Sequence, residues 1–285
     1  MNGIVLERNV NDIARFVESQ AASPDAEVCF DLSGLRSIRP GALAALATHV
    51  CAAAHAGHQV QITPPADPAC CKHLEMVSGF CWNLMSLRGI RFEGKQCSGS
   101  FSYAMDDAIL SMTTVDNTAE VEDLAEEVYN GFQRTGGVRS SVLLDEVVEG
   151  FWEPAINAVE HSGSDVGAFC LAWIWSARGR RIADFAVADA GVGILATLRR
   201  RYPSLSSDRE AVLKALKEGV SGLDDPQRGI GLSTTHELSK AGSGRRLMIV
   251  SGDGCVVATP SRSGGRTLRK FWPGTLVSLL FPLSQ

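Results

Sequence analysis

The chain has 285 residues, a net charge of -5 and 45% hydrophobic residues, enough to bury two ordinary cores. An acidic balance, with pI near 5.7, offers no general footprint for nucleic acid. Glu7 and Arg8 interrupt the amino terminus before any long apolar run, and no uncharged apolar stretch reaches the roughly 18 residues of a membrane span, so a soluble, cytoplasmic protein without membrane contact is expected. Eight cysteines with no C-x-x-C pair read as reduced thiols rather than a disulfide framework. The irregular spacing of Cys51, His55, His58, Cys70, Cys71 and His73 argues against a metal site there.

In chain order, Val28 to Leu32 predicts a buried strand and Ser33-Gly34 a turn. Leu43, Leu46, Ala47, Val50 and Ala54 form the apolar stripe of a helix that Gly57 stops. Gln59 to Ile62 returns as a strand, completing a right-handed β-α-β unit with parallel strands. Asp67 is a candidate N-cap with Pro68 at the first position of a helix that holds Leu74 and Val77 and closes at Gly79. Residues 93 to 117 hold one strand and the junction between two parts of the chain. Asn117-Thr118 caps a helix with Val121, Leu124, Val128 and Phe132 on one side, broken at Gly136-Gly137.

The next helix begins near Ser141 and carries FWEPAINAVEHSGS, Phe151 to Ser164. Glu153, Asn157 and His161 are four residues apart, with Glu160 beside them, so a carboxylate, an amide and an imidazole share one helical face. Pro154 removes a donor inside this helix, and a kink or restart is expected there, eased by Gly150. Phe169 to Trp175 and Ile182 to Ala188 are consecutive strands, the second leading to Asp189-Ala190-Gly191-Val192-Gly193. Between Ile194 and Gln227 lies a segment with a helix over Asp208 to Glu218. Arg228-Gly229-Ile230-Gly231-Leu232-Ser233 then opens a helix to Lys240, and Leu247 to Val250, Cys255 to Thr259 and Leu276 to Phe281 complete a mixed sheet. On residue chemistry alone Asp189 reads as either a turn aspartate or a ligand acceptor, and His161 as either a helix C-terminal cap or a phosphate contact.

The ordered set E-x-x-x-N-A-x-E-H, D-A-G-V-G, R-G-I-G-L-S and Gly274-Thr275 resembles the ATP-binding domain shared by gyrase, the large heat-shock chaperones, sensor histidine kinases and mismatch-repair ATPases, the GHKL superfamily. DLSGLRSIRPGALAALATH, followed by a helix and a Q-V-Q-I strand, resembles the STAS domain of anti-sigma factor antagonists. Together they imply an α/β chain with a STAS-like domain over 1–92, a junction over 93–117 and a GHKL (Bergerat) sandwich over 118–285, with helices on one face of a mixed sheet.

The resemblance implies ATP and Mg2+ as cofactors. Asp189 would accept from the adenine amino group, supported by Thr275, with Gly191 and Gly193 admitting the base. The amides of Arg228, Gly229, Ile230, Gly231 and Leu232 would face phosphates, with Asn157 the Mg2+ ligand, His161 a phosphate contact and Glu153 the catalytic base. The implied activity is ATP hydrolysis or phosphorylation of a regulatory partner on serine or threonine, as in anti-sigma serine kinases. Two alternatives stay open, a non-catalytic nucleotide-gated binding module and an orphan histidine-kinase half. The second lacks a helical hairpin, and Thr235-His236-Glu237-Leu238 follows the glycine box instead of preceding the nucleotide domain. Where phosphorylatable STAS domains carry Asp-Ser-Ser-Gly or Asp-Pro-Ser-Gly, this chain has Arg39-Pro40-Gly41-Ala42, and Ser37 falls outside that turn. A docking or homodimerisation role is therefore expected of residues 1–92.

Overall fold

The computed structural model describes residues 28–72, 74, 89–92, 108–135, 141–177, 179–220 and 231–283. They form a mixed α/β structure in the order β1 (Val28–Asp31), α1 (Pro40–His55), β2 (Val60–Thr63), α2 (Pro68–Lys72), β3 (Ile90–Phe92), β4 (Ala108–Val115), α3 (Thr118–Arg134), α4 (Ser141–His161), β5 (Ala168–Ala177), β6 (Arg180–Asp189), α5 (Gly193–Arg199), α6 (Asp208–Ala215), α7 (Gly231–Lys240), β7 (Arg246–Thr259) and β8 (Arg262–Leu283).

Local chemistry sets the helix starts. Pro40 opens α1 behind an extended Arg39, because proline's fixed φ suits the first helical position and no N–H is lost there. The Asp67 carboxylate accepts from Ala69 and Cys70 at 2.9 and 3.0 Å, capping α2. At α3 the cap is reciprocal. Asn117 accepts from the Glu120 amide at 3.1 Å while the Glu120 carboxylate accepts from the Asp116 amide at 2.7 Å. Past Lys72 and Leu74, the expected continuation of α2 to Gly79 lies outside the described residues, as does the Gly136-Gly137 break.

Strands β1, β2 and β3 form a parallel sheet in that order, as the β-α-β reading requires. The second sheet has the order β4-β5-β6-β8-β7 and is antiparallel at every pairing, not mixed as expected. β5 and β6 turn back on each other at Gly179, and β7 and β8 at Pro260-Ser261, and hairpins of this kind pair only antiparallel. The two segments Leu247 to Val250 and Cys255 to Thr259 belong to one strand, β7, whose register with β8 shifts around Gly252 and Gly254. The strand expected within the junction is β4, the edge of this sheet, paired to β5. α4 runs through Pro154 without a restart. Gly150 also serves packing, since a Cβ there would come within 2.8 Å of Leu279 Cδ2.

Alternation in the central strands gives the sheet two apolar faces. Cys170, Ala172, Phe185, Val187, Val277 and Leu279 join Phe132 of α3 and Val147 and Phe151 of α4 in one core. Phe169, Leu171, Trp173, Ala186, Ala188 and Leu276 face the other way and share a core with Leu43, Leu46 and Val50 of α1. The helices of residues 118–285 that enter a core thus join the first face, and the amino-terminal helix covers the second. Gly41 packs with a would-be Cβ 3.2 Å from Ser278, and His49 meets Trp272 edge-on at 4.5 Å between ring centres. At the rim the Arg39 guanidinium lies 3.5 Å over the Trp175 ring, whose Nε1 donates to the buried Asp184 at 3.1 Å.

Cys71 is disulfide-bonded, which corrects the expectation of thiols throughout; Cys29, Cys51, Cys70, Cys170 and Cys255 are free. No described helix is long and apolar enough to cross a membrane.

The shared core makes one cooperative unit of both sheets. Leu46→Ala, at a fully buried position in α1, should cost about 2–5 kcal/mol, and its melting curves by tryptophan fluorescence and far-UV circular dichroism should remain coincident. Two separated transitions would refute a common core.

Candidate functional site

On the α4 side of the antiparallel sheet lies a cavity with an empty volume of about 770 Å3, part of it open to solvent. Its walls include Asn157 and His161 from α4, Asp189 from the end of β6 and Thr275 opposite it on β8, Gly193 with Ile194 from α5, Ala215 from α6, and Gly231 with Leu232 from α7.

Asp189 ends β6 directly opposite Thr275 of β8 and is 3% exposed. Its Oδ1 accepts from the Gly191 amide at 2.8 Å, and the Thr275 amide also donates to the carboxylate. Burial outweighs both donors and pushes the carboxyl up to about 7. Two glycines make this approach feasible. A Cβ on Gly274, which sits at φ +71°, would overlap the Asp189 carbonyl, and one on Gly191 would overlap the carbonyl of Ser162. The Val192 amide donates to that same Ser162 carbonyl at 2.8 Å, tying the Asp189 loop to the end of α4.

On α4, the Asn157 Nδ2 donates to the Glu153 carbonyl at 2.7 Å. A backbone carbonyl only accepts, so this bond fixes the amide's orientation and leaves Oδ1, the oxygen a hard cation prefers, as its unengaged end. Glu153 does not line the cavity. Its carboxylate lies against Gly231 at the first turn of α7, where a Cβ would collide with Oε2 and come within 2.8 Å of Asn157 Nδ2. Burial raises the Glu153 carboxyl above its ordinary range, with the negative charges of Glu149 and Glu160 adding to the effect.

The structure therefore brings together Asn157, His161, Asp189, Gly193, Gly231, Leu232 and Thr275 around one cavity, with Gly191 and Glu153 at its margin. Arg228, Gly229 and Ile230 lie outside the described residues. Sequence reasoning missed Ser162, Thr197 and Ser251. Thr197 stands four residues after Gly193, a spacing that would have placed it on the same wall. Ser251 carries no local signal, because its role arises from packing between strands. Among the described residues no cluster of three or more His, Cys, Asp or Glu could hold a metal by itself.

Asp184 and Asp189 both have carboxyls raised to about 7 by burial, against 3.8 for an unburied aspartate. For Asp184 the Trp175 hydrogen bond and the charges of Arg39 and Arg246 work against that rise and lose. The folded chain thus holds protons that the unfolded chain releases near 4. Their contribution to stability is complete below about pH 4, declines as the pH climbs to about 7, and is level above. Asp184→Asn should reduce the fall in Tm between about pH 5 and about pH 8 in the unliganded protein. An unchanged fall would place the Asp184 titration elsewhere.

No protein-family model matches the chain, and no curated protein matches it significantly.

Proposed function

We propose that the chain is an ATP-binding regulatory protein of the GHKL type, in which a STAS-like amino-terminal unit is fused to a Bergerat sandwich with Mg2+-dependent ATPase or serine/threonine kinase activity. The observation that carries this reading is Asp189. It is a nearly buried carboxylate at a strand end, lining a cavity and braced by the Gly191 and Thr275 amides. A carboxylate so placed is a strong acceptor for an exocyclic amino group, and the charge-assisted bond is worth about 1.5–3 kcal/mol, roughly ten- to a hundredfold in affinity. Adenine offers that donor; guanine would oppose it with a carbonyl, acceptor to acceptor.

The residues at the margin fit a triphosphate. Gly231, whose missing side chain lets the Glu153 carboxylate and Asn157 lie against the start of α7, would present its backbone amide to phosphate oxygens. Asn157 Oδ1 and the ligand's own phosphates would hold Mg2+, which supplies charge neutralisation at the phosphoryl group when bound. Glu153, its carboxyl raised by burial and by neighbouring carboxylates, is suited to orienting a water or hydroxyl and taking its proton. His161 lines the cavity four residues beyond Asn157, within the same helical face.

A second reading, nucleotide-gated binding without turnover, is favoured by the position of α1. It packs on Ala186, Ala188 and Leu276, interleaved along β6 and β8 with the cavity residues Val187, Asp189, Thr275 and Val277. Strands shared in this way can relay occupancy of the cavity to the amino-terminal unit.

Calorimetry in Mg2+ should show ATP and ADP binding at least tenfold tighter than GTP. Equal affinities would remove the adenine assignment. Asn157→Ala should weaken ATP binding in Mg2+, whereas Glu153→Ala should keep or raise affinity while slowing turnover or phosphotransfer by about a hundredfold or more. A wild type without turnover under any partner condition selects the gated reading, and a Glu153→Ala protein as fast as an active wild type removes Glu153 as the base.

A further inference from the structure

Ser251 lies on β7, is fully buried and does not line the cavity. Its hydroxyl nevertheless joins two segments that do. It accepts from the Ile194 amide at 2.9 Å and donates to the Gly274 carbonyl at 3.0 Å, with Thr275 Oγ1 3.4 Å away. Both of its hydrogen-bonding directions are thereby used.

Each partner belongs to a different part of the site. Ile194 is the second residue of α5, whose N-cap residue, Val192, makes no side-chain cap. A helix of 7 residues is too short to persist by its own propensity, and its first amides need acceptors. Ser251 supplies one from another element of the fold. It thus fixes the wall on which Ile194, Thr197 and Leu198 face the cavity. Gly193, just before, approaches so closely that a Cβ would lie 2.9 Å from Ser251 Oγ. At the other end of the hydroxyl, Gly274 packs on the Asp189 backbone and Thr275 donates its amide to the Asp189 carboxylate. One oxygen therefore ties the α5 wall to the strand that braces Asp189.

We infer that Ser251 is a positioning residue that sets the α5 wall against Asp189 and, through that spacing, the cavity's discrimination between purines. The selectivity half rests on the cavity's being an adenine-nucleotide site; the positioning half does not.

The test compares the full-length wild type with Ser251→Ala and Ser251→Cys, the latter close to serine in volume but a weak hydrogen-bond partner. Two readouts are taken, amide hydrogen exchange and calorimetry with Mg2+-ATP and Mg2+-GTP. In both variants the α5 amides should exchange about fivefold or more faster, the loss expected of a removed N-cap, while amides of β5 and β8 keep wild-type rates. The ATP-to-GTP affinity ratio should narrow by about the same factor. Unchanged α5 exchange, acceleration spread evenly over the sheet, an unaltered ratio, or a Ser251→Cys protein that behaves as wild type would each overturn the inference. If the wild type itself binds no ATP, the nucleotide reading falls on its own, and α5 exchange in the two variants then decides whether Ser251 holds the wall.

Discussion

A five-stranded sheet with apolar side chains on both faces has to be covered twice, and the rest of this structure follows from how that is done. On one side α3 and α4 bury Val147, Phe151 and Phe132 against Phe185, Val277 and Leu279. On the other, α1 brings Leu43, Leu46 and Val50 down on Leu171, Ala186 and Leu276. Buried apolar area is the dominant favourable contribution to folding, so neither cover is dispensable. The cavity opens on the α4 side, where α5 and α7 supply walls as well as core side chains, and Asp189 reaches it from the end of β6. Apolar packing thus confines the polar chemistry to one rim.

The two buried aspartates illustrate the same division. They lie five residues apart on β6 and therefore point to opposite faces of the pleat. Asp189 faces the cavity and is held by backbone amides. Asp184 lies beside Trp175, within the field of Arg39 from the amino-terminal unit and of Arg246. Its second oxygen, Oδ1, is buried without a hydrogen-bond partner, in keeping with a carboxyl that holds its proton. Desolvation dominates at both sites, but one is built around a solvent-accessible cavity and the other around a seam in the fold.

Much of this was legible in the residues because it is local. Asp67 and Asn117 announce helix starts by their own capping chemistry, and the four-residue spacing from Asn157 to His161 puts both on the cavity side of α4. Glu153 follows the same spacing yet sits one turn away, against Gly231, because a helical face is longer than the cavity it borders. What escaped sequence reasoning is non-local. The antiparallel order of the second sheet depends on which strands meet, not on their composition. The docking of α1 depends on an Ala-rich helix whose second apolar side has no meaning until a partner face exists. Ser251 reads as an ordinary strand serine until Ile194 and Gly274 converge on it.

The seat of α1 on the sheet also has a consequence for competition. Gly41, in the Arg39-Pro40-Gly41-Ala42 stretch that opens α1, packs against Ser278, so this helix start is covered by the chain's own sheet. Both halves of that contact belong to one polypeptide, and a tethered pair meets at an effective concentration of roughly millimolar order. A separate protein directed at either half faces an internal competitor that no dilution removes. Its apparent dissociation constant is the intrinsic one divided by the fraction of chains in the open form, and that quotient sets a floor on how tightly any outside ligand of this face must bind to open it.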